Sequence, residues 1–307
     1  MSDPLTYSHP ARWYAELPQQ GVLEVAGADA GCFLQGQATC DVLALAPGAT
    51  TLGAFCTPQG RVFAVFRAVR SGDGYLLVMP QPLIAGVRER LNRFVLRAAV
   101  RIEDGSARWR CLGVLGATGQ GPGWPAADRV ESEAGTQYIF EIPPEGSGRR
   151  LLLLPAGDGA AWCQRLEGHG YTRVEAGHWQ REEVLAGIPA VAPATAEEFI
   201  PQMLNLDRLG GIGFKKGCYT GQEIVARTQY LGSVKRRMVR LQLAVGSAAP
   251  EPGSRVDGPA GQQGAGAVVC GAAVAGLPTE VLAVLGTEAP SSLWIGGAEA
   301  VLFDLPQ

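Results

Sequence analysis

Apolar runs of strand length dominate the first hundred positions, and only a few stretches carry helical spacing. "GVLEVAG" (21–27) reads as a strand, and "DAGCFLQGQ" (29–37) as a short helix opened by Asp29. "TTLGAFCTPQGRVFAVFRAV" (50–69) reads as two strands joined by a Pro-Gln-Gly turn, with "YLLVMP" as the next strand. In "PLIAGVRERLNRFVLRAA" (82–99), Val87, Leu91, Phe94 and Val95 recur at helical spacing and predict an amphipathic helix. Arg90, Arg93 and Arg97 lie on another face of it, either as a solvated surface or as an anion-facing stripe.

Residues 116–136 are rich in Gly, Pro and polar side chains and mark a loop or seam. Two strands, "QYIFEIP" and "RRLLLLP", and helical segments around 158–169 and 176–187 follow. A second Gly/Pro/Ala-rich break spans 245–266, and short strands are expected near 267–274, 280–285 and 299–304. With no long helix in that last portion, a small antiparallel barrel or sandwich is expected. Strands and helices mix without regular alternation, which predicts an α+β fold rather than a doubly wound sheet.

Composition narrows the function classes. Over 307 residues, 47% are hydrophobic and 18% charged, and no apolar run reaches the length of a membrane span. The N-terminal stretch lacks a basic region followed by an apolar one, so a cytoplasmic protein is expected. The net charge of −3 argues against a polyanion binder, and no RNA-recognition motif is present, so direct nucleic-acid binding is not expected. Glycines in "LGGIGFKKG" are not followed by Gly-Lys-Ser/Thr, there is no dinucleotide fingerprint or Gly-x-Ser-x-Gly, and the three histidines lack metal-ligand spacing.

Seven cysteines, at 32, 40, 56, 111, 163, 218 and 270, contain no CxxC pair. Six sit among apolar or small residues and are expected to be small buried hydrophobes. Cys218 does not share that setting. All three lysines of the chain, Lys215, Lys216 and Lys235, fall within 21 residues around it. Thr220 and Glu223 have the spacing of a capping box, so a helix is expected to begin at Thr220, with Gly217 freeing the preceding turn. A thiol two residues before a helix start, beside two ammonium groups, is favoured as thiolate. The alternative is a cysteine packed under a loop.

"EFIPQMLNLDRLGGIGFKKGCYTGQEIVARTQYLGSVKRRM" (198–238) closely resembles the YgfZ family of folate-binding proteins, relatives of the glycine-cleavage T-protein. Its signature K-G-C-[FY]-x-G-Q-E is met by Lys216, Gly217, Cys218, Tyr219, Thr220, Gly221, Gln222 and Glu223. The likeness continues, diluted, in 25–42, 91–104 and 185–189.

The resemblance implies a T-protein-like ring of three lobes around a folate-sized hole: two interleaved α+β portions over 1–232 and a C-terminal antiparallel barrel over 233–307. It also implies a role in assembling or repairing iron–sulfur clusters in client enzymes, including tRNA-modifying ones, with tetrahydrofolate as ligand. On that reading Cys218 is the working thiolate, a transient iron or sulfur ligand or a redox group, with Lys216 beside it. Asp41, Gln202, Glu223 and Arg227 are the folate-contacting candidates. Lys215, Lys216, Arg227, Lys235 and Arg236 form a basic rim for a polyglutamate tail or an acidic partner. No standing metal site and no nucleotide cofactor are implied.

Three positions depart from the relatives. Phe63 and Ala64 stand where T-protein relatives carry the acidic residue used in one-carbon chemistry, which counts against the alternative of an aminomethyl transferase. Leu185 stands where many relatives have a pterin-binding Glu, a role that Glu182 or Glu183 could take only with the helix rotated, and Cys40 replaces the Asn of a T-N-D run, either harmlessly or as a second thiol near the cavity.

Overall fold

Strand periodicity explains the layers. In β2 (Gln20–Ala26), Val22 faces one apolar core while Leu23 and Val25 face another, as a period of two requires. β4 (Val62–Ser71) and β5 (Gly74–Pro80) repeat this, with Val69, Leu76 and Val78 on the first side and Ala68, Leu77 and Met79 on the second. With β3 (Thr50–Cys56) and β6 (Arg101–Asp104) they form a five-stranded antiparallel sheet in the order β3-β4-β5-β2-β6. The computed structural model describes residues 10–47, 49–72, 74–116, 129–132, 135–142, 147–259, 264–288 and 292–306.

A second sheet has the order β11-β1-β7-β10-β9-β8 and packs face to face with the first. Its strands are β1 (Trp13–Glu16), β7 (Trp109–Leu115), β8 (Arg129–Ser132), β9 (Gly135–Glu141), β10 (Arg150–Pro155) and β11 (Thr172–Arg173). The chain therefore enters the second sheet with β1, builds the whole first sheet, and returns. This is the interleaving that the resemblance implies. Helices α1 (Ala30–Gln35) and α2 (Ile84–Asn92) cover the outer face of the first sheet, and α3 (Gly159–Gly168) covers that of the second. The shared inner core holds Trp13, Tyr138, Phe140, Leu153 and Trp179.

The last part of the chain is a closed six-stranded barrel rather than a sandwich. It comprises β12 (Arg236–Val245), β13 (Arg255–Asp257), β14 (Gly266–Ala272), β15 (Pro278–Gly286), β16 (Leu293–Ile295) and β17 (Ala298–Phe303), closed by pairing of β12 with β17. Leu241, Val281, Ala283 and Leu285 fill its interior, whereas Met238, Leu282 and Val284 point outward. These outward residues pack with α4 (Ala176–Leu185), α5 (Gln222–Tyr230) and the inner end of the first sheet.

Several local expectations are corrected. The helix predicted over 82–99 is a 3₁₀ turn at Gln81–Leu83 followed by α2, which stops at Asn92. Beyond it the amides of Phe94, Val95 and Ala98 bond three residues back, in successive turns, leaving Leu96 91% exposed. Asp29 does not cap α1; its carboxylate accepts from the Ala99 amide at 2.7 Å and pins the return of the chain into β6. Of the six cysteines expected to be buried, Cys40, Cys56 and Cys111 are, and burial pushes each thiol up to about 12. Cys163 and Cys270 are half-buried, and Cys32 is exposed on the outer side of α1. Of the 116–136 seam, 129–132 is β8, while 117–128 and 133–134 lie outside the described residues.

Candidate functional site

The motif loop is built on the end of a helix far away in sequence. The last carbonyls of any helix lack intrahelical donors and attract cations, and α1 carries no basic residue in its last turn. Lys216 supplies one from 181 residues away. Its Nζ donates to the Gln35 carbonyl at 2.7 Å, to Ala38 at 2.5 Å and to Cys40 at 3.0 Å, and it lies 4.8 Å from the centre of the Tyr219 ring. Burial pulls its ammonium down to about 8, with Cys40 and Asp41 acting in the opposite direction. Lys216 is therefore an internal anchor and not part of an exposed basic rim.

Backbone bonds fasten the same loop elsewhere. The Gly213 amide donates to the Thr39 carbonyl at 2.8 Å, and the Thr39 hydroxyl donates to the Gly211 carbonyl at 2.6 Å. The Thr220 amide donates to the Gly36 carbonyl at 3.2 Å. Tyr219 is buried, and burial, with Cys56 nearby, pushes its phenol up. Between these anchors Gly217 and Cys218 are exposed. The loop thus presents one thiol to solvent from a fixed base.

The helix start differs from the expected capping box. α5 begins at Gln222, its cap position is Gly221 in the left-handed region at φ 84°, and no side chain caps it. Thr220 Oγ1 instead meets Gln37 Oε1 at 3.4 Å, and Glu223 pairs with Arg227 one turn on at 3.3 Å. Gln222 Oε1 accepts from the Tyr219 amide at 3.3 Å. Left-handed backbone is required at 221 rather than at Gly217, where a Cβ would meet nothing. A Cβ at Gly221 would lie 2.5 Å from the Thr57 carbonyl oxygen. Gly221→Ala combines that clash with backbone strain, and an unfolding titration is expected to show a loss of about 3 kcal/mol.

The proposed folate-contacting residues do not converge. Asp41 accepts from Gln35 Nε2 at 2.9 Å and from the Ala44 amide at 3.2 Å, which shapes a turn. Gln202 is fully buried, and its Nε2 donates to the Val225 carbonyl at 2.7 Å, tying α5 to the 3₁₀ turn Pro201–Leu204. Glu223 and Arg227 are exposed and occupied with each other. Cys40 contributes no second thiol to a cavity, since its sulfur packs against Gly53 in the first sheet's core.

Sequence reasoning offered Glu183 as a substitute carboxylate but missed the two arginines that join it in a charged group between the two sheets. Glu183 on α4 bonds Arg67 at 3.4 Å and also Arg149, whose guanidinium lies 5.2 Å from the Trp179 ring centre. The signal was present: Arg67 interrupts the apolar run of β4 and is 8% exposed. Arg67, Trp179 and Glu183 line a cavity of about 60 Å³ where the sheets meet α4. Leu185 does not line this cavity; Glu183 does. Phe63 stacks on Phe55, and Ala64 is fully buried, so neither position offers an acid.

No protein-family model matches the chain. A tRNA-modifying protein YgfZ from Vibrio atlanticus is 34% identical over 239 residues, which is 76% of this chain and 68% of that one. The chain belongs to the YgfZ family. The YgfZ protein of Colwellia psychrerythraea is 31% identical over 238 residues, covering 75% of this chain and 71% of its own. That of Escherichia coli is 32% identical over 243 residues, covering 76% and 72%. Among solved structures, the glycine cleavage system aminomethyltransferase T of Bartonella henselae superposes with a TM-score of 0.74. It covers 96% of this chain and 85% of its own, at 14% identity. The YgfZ chain thus has the T-protein fold, as the sequence resemblance led one to expect. Among the described residues no helix is long and apolar enough to cross a membrane.

Proposed function

We propose that this YgfZ chain is an accessory protein that supports iron–sulfur clusters in client enzymes, tRNA-modifying ones among them, through Cys218. The observation that carries the reading is the exposed thiol of Cys218 held between Lys216 and Tyr219, both anchored inward, while Cys40, Cys56 and Cys111 are buried. A thiol so presented meets a partner's surface without rearrangement of its own loop. Iron or sulfide is the cargo: the Cys218 sulfur gives up its proton as it binds iron, as soft thiolate ligands do. Exposed Lys215, Lys235 and Arg236 in the neighbouring sequence suit an acidic client.

The test is complementation in a host lacking its own copy, read as the level of a tRNA modification made by an iron–sulfur enzyme. Cys218→Ser is expected to lower that level about tenfold or more, and Cys32→Ser, which removes the exposed thiol on α1, to leave it unchanged. A Cys218→Ser protein as effective as wild type overturns the reading.

Tetrahydrofolate belongs to this proposal as a ligand, by the family resemblance and the shared fold. The central cavity does not fit it: about 60 Å³ is far below the roughly 300–1,000 Å³ of small-molecule sites, and Arg67 and Arg149 engage the Glu183 carboxylate. Since Leu185 lies off the cavity lining, Leu185→Glu is expected to leave the affinity for tetrahydrofolate within about twofold of wild type by calorimetry. A tenfold gain would show that the carboxylate at 185 reaches the ligand after all.

A further inference from the structure

A second and larger space lies beside the motif, between α2 and the turn joining β3 to β4. Its volume is about 450 Å³, within the range of small-molecule sites. Phe63 lines it, backed by the buried ring of Phe55 stacked behind it, with centroids 5.9 Å apart and planes at 18°. Leu91 and Phe94 extend the apolar lining from the helix side, and Phe94 is half exposed. The Arg90 guanidinium lies over the Phe63 ring, 4.7 Å from its centre, and Arg93 stands about one helical turn further on.

We propose that this cavity binds a small planar aromatic acid, its ring among Phe63, Leu91 and Phe94 and its carboxylate on Arg90 and Arg93. Aromatic faces and guanidinium groups attract such a ligand by stacking, cation–π contact and charge-assisted hydrogen bonds. At the motif end, Gln37 accepts from Thr220 through Oε1, and its Nε2 has no acceptor among the described residues, so it is available to a polar ring substituent. Both arginines already hold carboxylates, Arg90 that of Glu197 and Arg93 that of Glu89. All four side chains are at least 42% exposed, and exposed pairs contribute little, so an incoming carboxylate exchanges with them readily. Glu197 is the direct competitor at Arg90, and it occupies a left-handed backbone position at φ 69°. No residue of the central cavity takes part, so the inference goes beyond the folate reading and does not depend on it.

The experiment is calorimetry of the full chain with 2-naphthoate at low ionic strength. One-to-one binding is expected, with naphthalene-2-methanol (no charge) and cyclohexanecarboxylate (no aromatic ring) each about tenfold weaker or worse. Gly86→Met adds a side chain on the cavity lining where a Cβ meets nothing within 4 Å, and it replaces a glycine inside a helix. It is expected to cut affinity about tenfold or more without lowering Tm. Glu197→Gly removes the competitor and suits the positive φ, so it is expected to tighten binding about threefold, an effect that misfolding cannot imitate. Absence of binding to wild type, equal binding to Gly86→Met, or binding at several equivalent sites overturns the proposal.

Discussion

Glu183→Leu is expected to lower the free energy of unfolding by about 3–5 kcal/mol, the largest effect among the single changes considered for this chain. The carboxylate bridges Arg67 and Arg149, whose side chains are 10% and 2% exposed. Leucine leaves both guanidiniums without their shared carboxylate, and neutral water in the small cavity supplies no opposite charge. Glu183→Gln keeps the volume and one acceptor and is expected to cost about half as much. Glu223→Ala removes an ion-pair carboxylate that is 80% exposed and is expected to change stability by less than about 0.5 kcal/mol. Urea titrations at neutral pH compare the three. A loss below about 1 kcal/mol for Glu183→Leu would mean that the arginines find other partners as good.

The second large effect belongs to Lys216→Met. Three inward carbonyls, of Gln35, Ala38 and Cys40, lose their common donor, and an expected loss of about 3 kcal/mol follows from leaving them unpaired. Exposed Lys215→Ala serves as the control and is expected to lie within about 0.5 kcal/mol of wild type. The difference between wild type and Lys216→Met should depend on pH. The folded protein holds this lysine at about 8, below its ordinary value of 10.5. Below pH 8 both folded and unfolded chains carry the proton. Between 8 and 10.5 the folded chain releases it while the unfolded chain retains it, so stability rises with pH over that window. The gap between wild type and Lys216→Met is therefore expected to widen from pH 8 to 10.5. A constant gap would show that the native lysine titrates like a free one.

Much of the architecture was legible because periodicity reports burial. Near-continuous apolar runs in β2, β4 and β5 matched a sheet buried on both faces, and short strands without a long helix matched the barrel. Failures came where partners distant in the chain decided the outcome. The pattern in 82–99 is helical throughout, yet the amide of Ala99 is claimed by Asp29, and the helix ends early. Clustered lysines pointed to the right loop, but not to opposite directions for neighbours: Lys215 turns to solvent and Lys216 to a helix end. The T-x-x-E spacing at 220–223 had the form of a cap, but Thr220 turns to Gln37 and glycine takes the cap position. Arg67 was the readable clue to the central group, a charge in a run that should have been apolar.

The segment that receives the lysine also guards a sheet margin. β3 is the outermost strand on its side of the five-stranded sheet and, at seven residues, is longer than β6 on the other side. Ala38 bridges Phe55, the Thr39 amide donates to the Ala54 carbonyl, and the Ala54 amide donates to Thr39 Oγ1. Loosening residues 38–40 would bare this apolar ribbon and invite strands from other molecules to pair with it. Loss of the lysine at 216 should therefore appear as self-association during expression or gentle heating, before the barrel melts.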